Sequence, residues 1–192
     1  MFTYMLHGLA RAYAPHVDDV LCIGLGIGIV PREFARDGAR VDVVEINPAV
    51  VPVAVKFFDF EPEKVHLTIG DGRYYLNRCV KQYDAIILDA FLGDSCPSHL
   101  MTVEAFRSMR RSLRPEGVLV INTFAEVDGG RDFFGASLYK TLTNVFSSVL
   151  IHKGRNGNTL FVAASRPQLT LLTPPDYGHV YAGCRNQVQY AM

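Results

Sequence analysis

The stretch that decides the fold reads Val20-Leu-Cys-Ile-Gly-Leu-Gly-Ile-Gly28, and the run Val41-Asp-Val-Val-Glu45 follows it. An apolar run that ends in a glycine-rich turn predicts a buried strand and then the start of a helix, and the second run predicts a neighbouring strand that ends in an acid. Glycines let the backbone pass close to a ligand, and a carboxylate at the tip of the next strand can accept both hydrogen bonds of a ribose diol. The two segments therefore predict half of a nucleotide-binding site.

The spacing of the glycines indicates which kind of nucleotide is bound. A dinucleotide fingerprint reads G-x-G-x-x-G, whereas here the glycines are Gly24, Gly26 and Gly28, and Ile29 takes the place of the third dinucleotide glycine. This disfavours an NAD-dependent oxidoreductase. The G-x-G-x-G variant is similar to the first motif of adenosylmethionine-dependent enzymes, which have no pyrophosphate to hold. A turn that serves only tight packing is the alternative, and Glu45, 17 residues after Gly28, favours the ligand site.

Length and charge narrow the class of protein. With 192 residues, 49% of them hydrophobic and 20% charged, we expect one globular domain with a well-filled core. The 19 basic residues balance the 19 acidic ones, so no basic surplus argues for nucleic acid or an anionic membrane as a partner. The four cysteines form no C-x-x-C pair and the six histidines do not cluster, so we expect reduced thiols and no metal. The N-terminus lacks a basic leader and a membrane-spanning stretch, which favours a cytoplasmic protein.

Strand-like and helix-like segments alternate from Val20 to Ser165. This predicts an α/β fold with a doubly wound, mostly parallel, seven-stranded sheet and helices on both faces, a Rossmann-like arrangement. We expect strands near residues 19–24, 40–45, 65–69, 83–89, 117–124, 149–153 and 159–164. We expect helices at about 29–37, 48–58 (capped by Asn47), 72–80, 98–113 and 131–145. Residues 1–18 form a helical lead-in, 19–165 the nucleotide-binding domain, and 166–192 a tail with little periodicity.

Acids follow three consecutive predicted strands. Desolvating carboxylates at the end of a sheet costs free energy unless a ligand there donates hydrogen bonds or carries positive charge. In a doubly wound sheet, ligands lie across the carboxyl ends of the strands. Glu45 is placed to accept from ribose hydroxyls, with an exposed strand-end acid as the alternative. Asp71, between two glycines, is placed to accept from an adenine amino group or to cap the following helix, and both roles are compatible.

Asp89 closes the apolar run Ala85-Ile-Ile-Leu88, so we expect a partly desolvated carboxylate at the mouth of the cleft. Such a group can steady a sulfonium or take a proton from an amine. Asp94 lies five residues further on, in a loop, and is a candidate substrate residue. A turn or a helix cap is the favoured alternative for Asp94.

Together these segments resemble the C-terminal, adenosyl-binding domain of the spermidine/spermine synthase (polyamine aminopropyltransferase) family, in particular its bacterial spermidine-synthase-like branch. The resemblance runs from about Tyr4 to Ser165 and is carried by Val20–Gly28, Val43-Val-Glu-Ile-Asn47, Ile69-Gly-Asp-Gly-Arg73 and Tyr83-Asp-Ala-Ile-Ile-Leu-Asp-Ala90. It implies the class I adenosylmethionine-dependent methyltransferase fold, with Glu45 on the ribose, Asp71 on the adenine and Asp89 deprotonating the attacking amine. The expected adenosyl-binding set is Gly24, Gly26, Gly28, Glu45, Asn47, Asp71 and Gly72.

Two departures from the family pattern concern the amine side of the site. Enzymes of the family carry a second acid three positions after the first, where this chain has Leu92, and Asp94 is the candidate substitute. They also have an N-terminal β-rich domain that helps to form the polyamine channel and the dimer, whereas about 18 residues precede the first predicted strand here.

The resemblance implies a transferase that moves an aminopropyl group from decarboxylated S-adenosylmethionine to a small-molecule amine in polyamine biosynthesis, with no metal and with a homodimer as one assembly it allows. The alternatives are methyl transfer from S-adenosylmethionine and a non-catalytic adenosyl-binding module that lacks the substrate domain.

Overall fold

The computed structural model describes residues 2–93, 95–125, 133–154, 158–175 and 189–190. The helices are α1 (Phe2–Tyr13), α2 (Ile29–Arg36), α3 (Val50–Phe58), α4 (Gly72–Arg78), α5 (Val103–Arg111) and α6 (Phe133–Thr143). The strands are β1 (Asp19–Ile23), β2 (Arg40–Glu45), β3 (His66–Ile69), β4 (Tyr83–Leu88), β5 (Leu113–Thr123), β6 (Ser148–Lys153), β7 (Thr159–Ala164) and β8 (Gln189–Tyr190). Short 3₁₀ turns cover Pro62–Lys64 and Ser98–Leu100.

The strands form one mixed sheet in the order β3-β2-β1-β4-β5-β7-β6-β8. β1 to β5 are parallel, whereas β7 is antiparallel to both β5 and β6. β1 lies between β2 and β4, so the chain order reverses direction on either side of it. Ligands of doubly wound sheets bind at such a switch point, beyond the carboxyl ends of the strands.

The side chains of β1 alternate between two apolar clusters, one on each face of the sheet. Val20 and Cys22 belong to one apolar cluster, with Leu6 and Leu9 of α1 and Phe34 of α2. Successive side chains of a strand point to opposite faces, so Leu21 and Ile23 belong to the second cluster. That cluster includes residues of α4, α5 and α6, among them Leu76, Phe106 and Leu138. The predicted doubly wound architecture is confirmed.

Two predicted elements differ in the structure. The single helix expected over 98–113 is a 3₁₀ turn at Ser98–Leu100 followed by α5, because Thr102 adopts an extended backbone and its hydroxyl caps the Ala105 amide at 3.2 Å. The sequence predicts seven strands and an extended tail with little periodicity, and the structure adds β8, which pairs with β6 and brings the sheet to eight strands.

A network of ion pairs between side chains lies at the amino ends of the strands, opposite the nucleotide-binding edge predicted from the sequence. Asp19, at the start of β1, is almost fully buried and pairs with Arg40 at 2.6 Å and with Arg114 at 2.7 Å. Arg114 also pairs with Asp84 at 2.7 Å, which joins β1, β4 and β5. Hydrogen bonds from Arg40 hold the pKa of Asp19 well below its usual range.

No helix in the described ranges has the length and apolarity needed to cross a membrane.

Candidate functional site

The carboxyl ends of β3, β2, β1 and β4 meet at one edge of the sheet, and backbone hydrogen bonds tie the segments that leave them. The Gly24 amide donates to the Val44 carbonyl at 2.9 Å, and the Gly70 amide donates to the Glu45 carbonyl at 2.9 Å. The Asp89 amide donates to the Ile23 carbonyl at 3.0 Å. The structure therefore brings the glycine loop and the three predicted acids to a common edge, which we call the nucleotide edge (residues 24–28, 45–47, 70–72 and 89–92).

The three loop glycines have left-handed φ angles of 96° at Gly24, 54° at Gly26 and 79° at Gly28. A Cβ at Gly24 would lie 2.2 Å from the Asp89 carbonyl oxygen, and one at Gly28 would lie 2.7 Å from the Phe60 ring. Packing alone explains these two glycines. A Cβ at Gly26 would meet no described atom within 4 Å, so the space in front of Gly26 is open to a ligand.

Glu45 is buried, with 7% of its surface exposed, although an exposed strand-end acid was one alternative. Its Oε2 accepts a hydrogen bond from the Leu25 amide at 2.8 Å, and its Oε1 accepts one from the Asn47 amide at 2.8 Å. The carboxylate thus holds the glycine loop against the segment that follows β2. Each carboxylate oxygen has two acceptor sites, so both retain capacity for a hydroxyl donor.

Asn47 begins the turn into α3. The sequence predicted Asn47 as the cap of a helix that begins at residue 48, but α3 starts at Val50 and its cap residue is Ala49, which has no side-chain cap. Asn47 Oδ1 instead accepts from the Ala49 amide at 3.0 Å, within the turn that precedes the helix. A Cβ at Gly72 would lie 2.5 Å from the Ile23 side chain, so close packing of α4 on β1 accounts for Gly72.

Asp71 caps α4, as one of its two predicted roles required. Its Oδ1 accepts from the Tyr74 amide at 2.8 Å, and its Oδ2 lies 3.0 Å from Nε2 of His99. Arg73 donates to the His99 carbonyl at 2.6 Å and to the Thr102 hydroxyl at 3.0 Å. The segment that precedes α5 is therefore fastened to the start of α4. His99 was not predicted from the sequence, because it lies 28 residues from Asp71 and carries no local motif.

Asp89 follows β4 and is only partly exposed to solvent. Its Oδ1 accepts a hydrogen bond from Nδ2 of Asn122 at 2.8 Å. Burial raises the pKa of Asp89, and the hydrogen bond from Asn122 opposes that rise. A carboxylate with a raised pKa is a stronger base than an exposed aspartate.

Apolar side chains form a rim beside Asp89. The rings of Phe91 and Phe124 lie 5.1 Å apart, two residues beyond the Asp89–Asn122 pair on the same two chain segments. Leu92 and Phe124 are each 55% exposed. Asp94 lies outside the described residues.

A thiol lies beside the Asp89–Asn122 pair: Cys96 Sγ is 3.8 Å from the backbone carbonyl oxygen of Asn122. Burial raises the pKa of Cys96 to about 11, so it is a neutral thiol at pH 7 and a poor nucleophile. In the described ranges, no three histidine, cysteine, aspartate or glutamate residues are grouped so as to hold a metal ion. The chemistry that the nucleotide edge offers is hydrogen-bond acceptance and proton transfer by carboxylates.

The sequence of this chain matches a known protein family. The family model of the spermine/spermidine synthase domain matches residues 1–128. A polyamine aminopropyltransferase of Vibrio vulnificus is 40% identical over 133 residues, which cover 65% of this chain and 44% of the relative. The chain spans about half the length, or less, of the curated relatives that it matches.

Solved structures support the fold. A spermidine synthase in complex with the transition-state analogue AdoDATO aligns with a TM-score of 0.77 at 20% identity, over 100% of this chain and 68% of the other. Human methyltransferase-like protein 13 in complex with SAH aligns with a TM-score of 0.72 at 27% identity, over 88% of this chain and 84% of the other. Since the family model covers well over half of its residues, the chain belongs to the spermine/spermidine synthase family.

Proposed function

We propose that the protein transfers an aminopropyl group from decarboxylated S-adenosylmethionine to a small-molecule amine. The observation that carries this proposal is the nucleotide edge, where a glycine loop open at Gly26, two strand-end acids and a partly buried Asp89 meet on four adjacent parallel strands. Membership of the spermine/spermidine synthase family supports the same reaction.

The adenosyl group of the cosubstrate is assigned to the glycine loop, to the segment after β2 and to the start of α4. Glu45 would accept from ribose hydroxyls with the acceptor sites left over by the two backbone amides that it binds. Asp71 would accept from the adenine amino group. Ile46, 53% exposed directly after Glu45, offers an apolar surface beside these acids.

The proposed chemistry is a displacement at carbon. The nitrogen of the acceptor amine attacks the methylene carbon bonded to the sulfonium, the new C–N bond forms, and the C–S bond breaks so that its electron pair leaves with methylthioadenosine. The amine proton passes to the Asp89 carboxylate. The sulfonium is itself an activated leaving group, so the step calls for positioning and a base rather than a metal.

Methyl transfer from S-adenosylmethionine is the second candidate. The structural likeness to human methyltransferase-like protein 13, at 27% identity and with SAH in its crystal, favours it. The exposed Leu92, which replaces the second acid of the aminopropyltransferase pattern, also favours it. The two reactions differ in product, since aminopropyl transfer releases methylthioadenosine and methyl transfer releases adenosylhomocysteine.

Calorimetric titration with S-adenosylmethionine, its decarboxylated form and methylthioadenosine tests the proposal, together with product analysis over a panel of amines. We expect the decarboxylated form to bind more tightly than S-adenosylmethionine and to yield methylthioadenosine. Adenosylhomocysteine as the product would establish the second candidate. Binding of a nucleotide without turnover of any amine, unchanged by Asp89→Asn, would instead identify a non-catalytic adenosyl-binding module.

A further inference from the structure

Three side chains form a line that ends at Asp89. Asn158, which lies just before β7, donates from its Nδ2 to Oδ1 of Asn122 at 2.9 Å. Asn122, in β5, donates from its own Nδ2 to Oδ1 of Asp89 at 2.8 Å. Both amides are buried, with 1% of Asn122 and 5% of Asn158 exposed. A buried amide chain of this kind needs every donor and acceptor end to be matched.

The direction of this chain follows from the chemistry of an amide. A carboxamide has one donor end and one acceptor end. By itself Asn122 could donate to an ionised Asp89 or accept from a protonated one. Because Asn158 donates, the carbonyl end of Asn122 must face Asn158, and the amino end must face Asp89. The Gly154 amide donates to the backbone carbonyl of Asn158 at 2.8 Å, which ties the backbone of Asn158 to the end of β6.

We propose that Asn122 and Asn158 are positioning residues for Asp89: Asn158 fixes the orientation of the Asn122 amide, so that Asp89 Oδ1 is held by a donor and Oδ2 is left for the acceptor amine. This inference rests on the proposed function for the identity of the proton donor. The arrangement of the three side chains stands independently of it.

The electrostatic surroundings explain why such a donor is needed. Burial raises the pKa of Asp89. Among the residues that the structure describes, the thiols of Cys22 in β1 and of Cys96 interact electrostatically with Asp89, and burial raises the pKa of both. Both thiols are therefore neutral at pH 7, and neither offers a positive charge to the carboxylate. The Asn122 amide then supplies the hydrogen bond that favours the ionised form.

Asn158→Leu tests the inference, because it removes the donor that orients Asn122 while leaving Asn122 and Asp89 in place. Thr123→Val is the matched control. Thr123 is also buried at the end of β5, and its hydroxyl donates to the Thr159 carbonyl at 2.9 Å, so the control removes a buried hydrogen bond one residue along the chain from the Asn122–Asn158 pair on both sides. Asn158→Ala provides the same test if the leucine variant does not fold.

Two readouts are measured on the full chain. A carbon NMR titration of the side-chain carboxyl groups, with Asp89→Asn to identify the signal, follows the protonation of Asp89 without any need for activity. The pH dependence of kcat for amine transfer follows its effect on the reaction. In the Asn158 variant we expect the Asp89 titration to move to higher pH and the acid limb of the kcat profile to move with it. At a pH on that limb kcat should fall severalfold and recover as the pH rises, while nucleotide affinity stays within about twofold. Thr123→Val should move none of these.

An Asp89 titration in Asn158→Leu or Asn158→Ala that coincides with that of the unsubstituted protein would overturn the positioning role. If the NMR titration shifts as expected but the unsubstituted protein transfers nothing to any amine, the positioning role stands and the proposed function fails. The two failures are therefore distinguishable in one set of samples.

Discussion

Glu45 Oε2 accepts a hydrogen bond of 2.8 Å from the Leu25 amide, which joins the last residue of β2 to the middle of the glycine loop after β1. The same carboxylate holds the Asn47 amide at 2.8 Å. The acid assigned to the ribose therefore also builds the loop that would surround the ligand. Nucleotide affinity and stability are consequently linked at this position.

Glu45→Gln should weaken both properties. An amide can accept from only one of the two backbone donors, and its amino end would face the other, so the free energy of unfolding should fall by about 1–3 kcal/mol. Affinity for decarboxylated S-adenosylmethionine should fall at least tenfold. Denaturant unfolding and calorimetry measure the two effects. Glu61→Gln is the control, because Glu61 forms an exposed pair with Lys64 and should change neither quantity. Unchanged affinity in folded Glu45→Gln would argue against the ribose role.

Asp89→Asn should separate catalysis from stability. Loss of the base should lower the transfer rate by at least about 100-fold while nucleotide affinity persists. Burial raises the native pKa of Asp89 above its unfolded value, so the ionised carboxylate costs stability at pH 7, and the variant should melt at a higher temperature. The gain should shrink as the pH falls through the native pKa, because Asp89 then takes up a proton. Thermal melts between pH 4 and 8 measure this.

Asp19→Asn is the contrasting variant for that experiment. Hydrogen bonds to Arg40 and Arg114 hold its pKa below the usual range, so removal of the charge should lower the melting temperature at pH 7. Equal shifts of the same sign in the Asp89 and Asp19 variants would contradict the electrostatic account.

Leu92→Asp tests the amine side of the site. Leu92 is 55% exposed and its backbone pairs with Ser95, so the substitution should leave the fold intact. A carboxylate there would attract the second ammonium of a diamine, and KM for 1,4-diaminobutane should fall by roughly three- to tenfold, as expected for a partly exposed ion pair. KM for 1-aminobutane, which lacks the second ammonium, should stay the same. Equal changes for the two amines would show that Leu92 does not face the far end of the acceptor.

His152 should make the protein less stable in mild acid. It is fully buried in β6, with its ring centroid 5.5 Å from that of Tyr13, and burial lowers its pKa from 6.5 to about 4. In the unfolded chain this histidine binds a proton at higher pH than in the native protein. The free energy of unfolding should therefore be highest above pH 6.5 and fall by about 3 kcal/mol towards pH 4. The free energy of unfolding, measured with urea at each pH, should depend less steeply on pH in His152→Phe. The exposed His16, replaced by phenylalanine, should leave the slope unchanged.

Much of the fold was predictable because buried parallel strands are nearly continuous apolar runs. β1, β2 and β4 begin where the sequence placed them and are fully buried except for Arg40 at the edge. The glycine loop and the cap at Asp71 were also predictable, since both depend on neighbours within a few residues.

The elements that were missed depend on distant contacts. The helix expected over 98–113 is interrupted at Thr102, whose hydroxyl accepts from Arg73, 29 residues away. β5 begins at Leu113 rather than at residue 117, because Leu113 pairs with Tyr83 although Pro115 and Gly117 indicate a turn. β8 has two residues and no periodicity that a sequence pattern could show.

Three further residues of the candidate site could not be predicted from the sequence for the same reason. His99, Asn122 and Asn158 reach their partners across 28, 33 and 36 residues. No sequence motif distinguishes a single asparagine at the end of a strand as part of a site. Only the sheet order, which sets β4 beside β5 and β5 beside β7, brings these amides to Asp89.

The central claim is that the space in front of the glycine loop holds an adenosyl group, and one pair of variants tests it most directly. Gly26 and Gly38 both have left-handed φ angles, 54° and 87°, and a Cβ at either would meet no described atom within 4 Å. Alanine at either position should cost a similar 1–2 kcal/mol of backbone strain, to be checked by thermal melts. The decisive measurement is the calorimetric Kd of decarboxylated S-adenosylmethionine in both variants. We expect Kd to rise at least tenfold in Gly26→Ala and to be unchanged in Gly38→Ala, whereas equal Kd values in two folded variants would contradict the account.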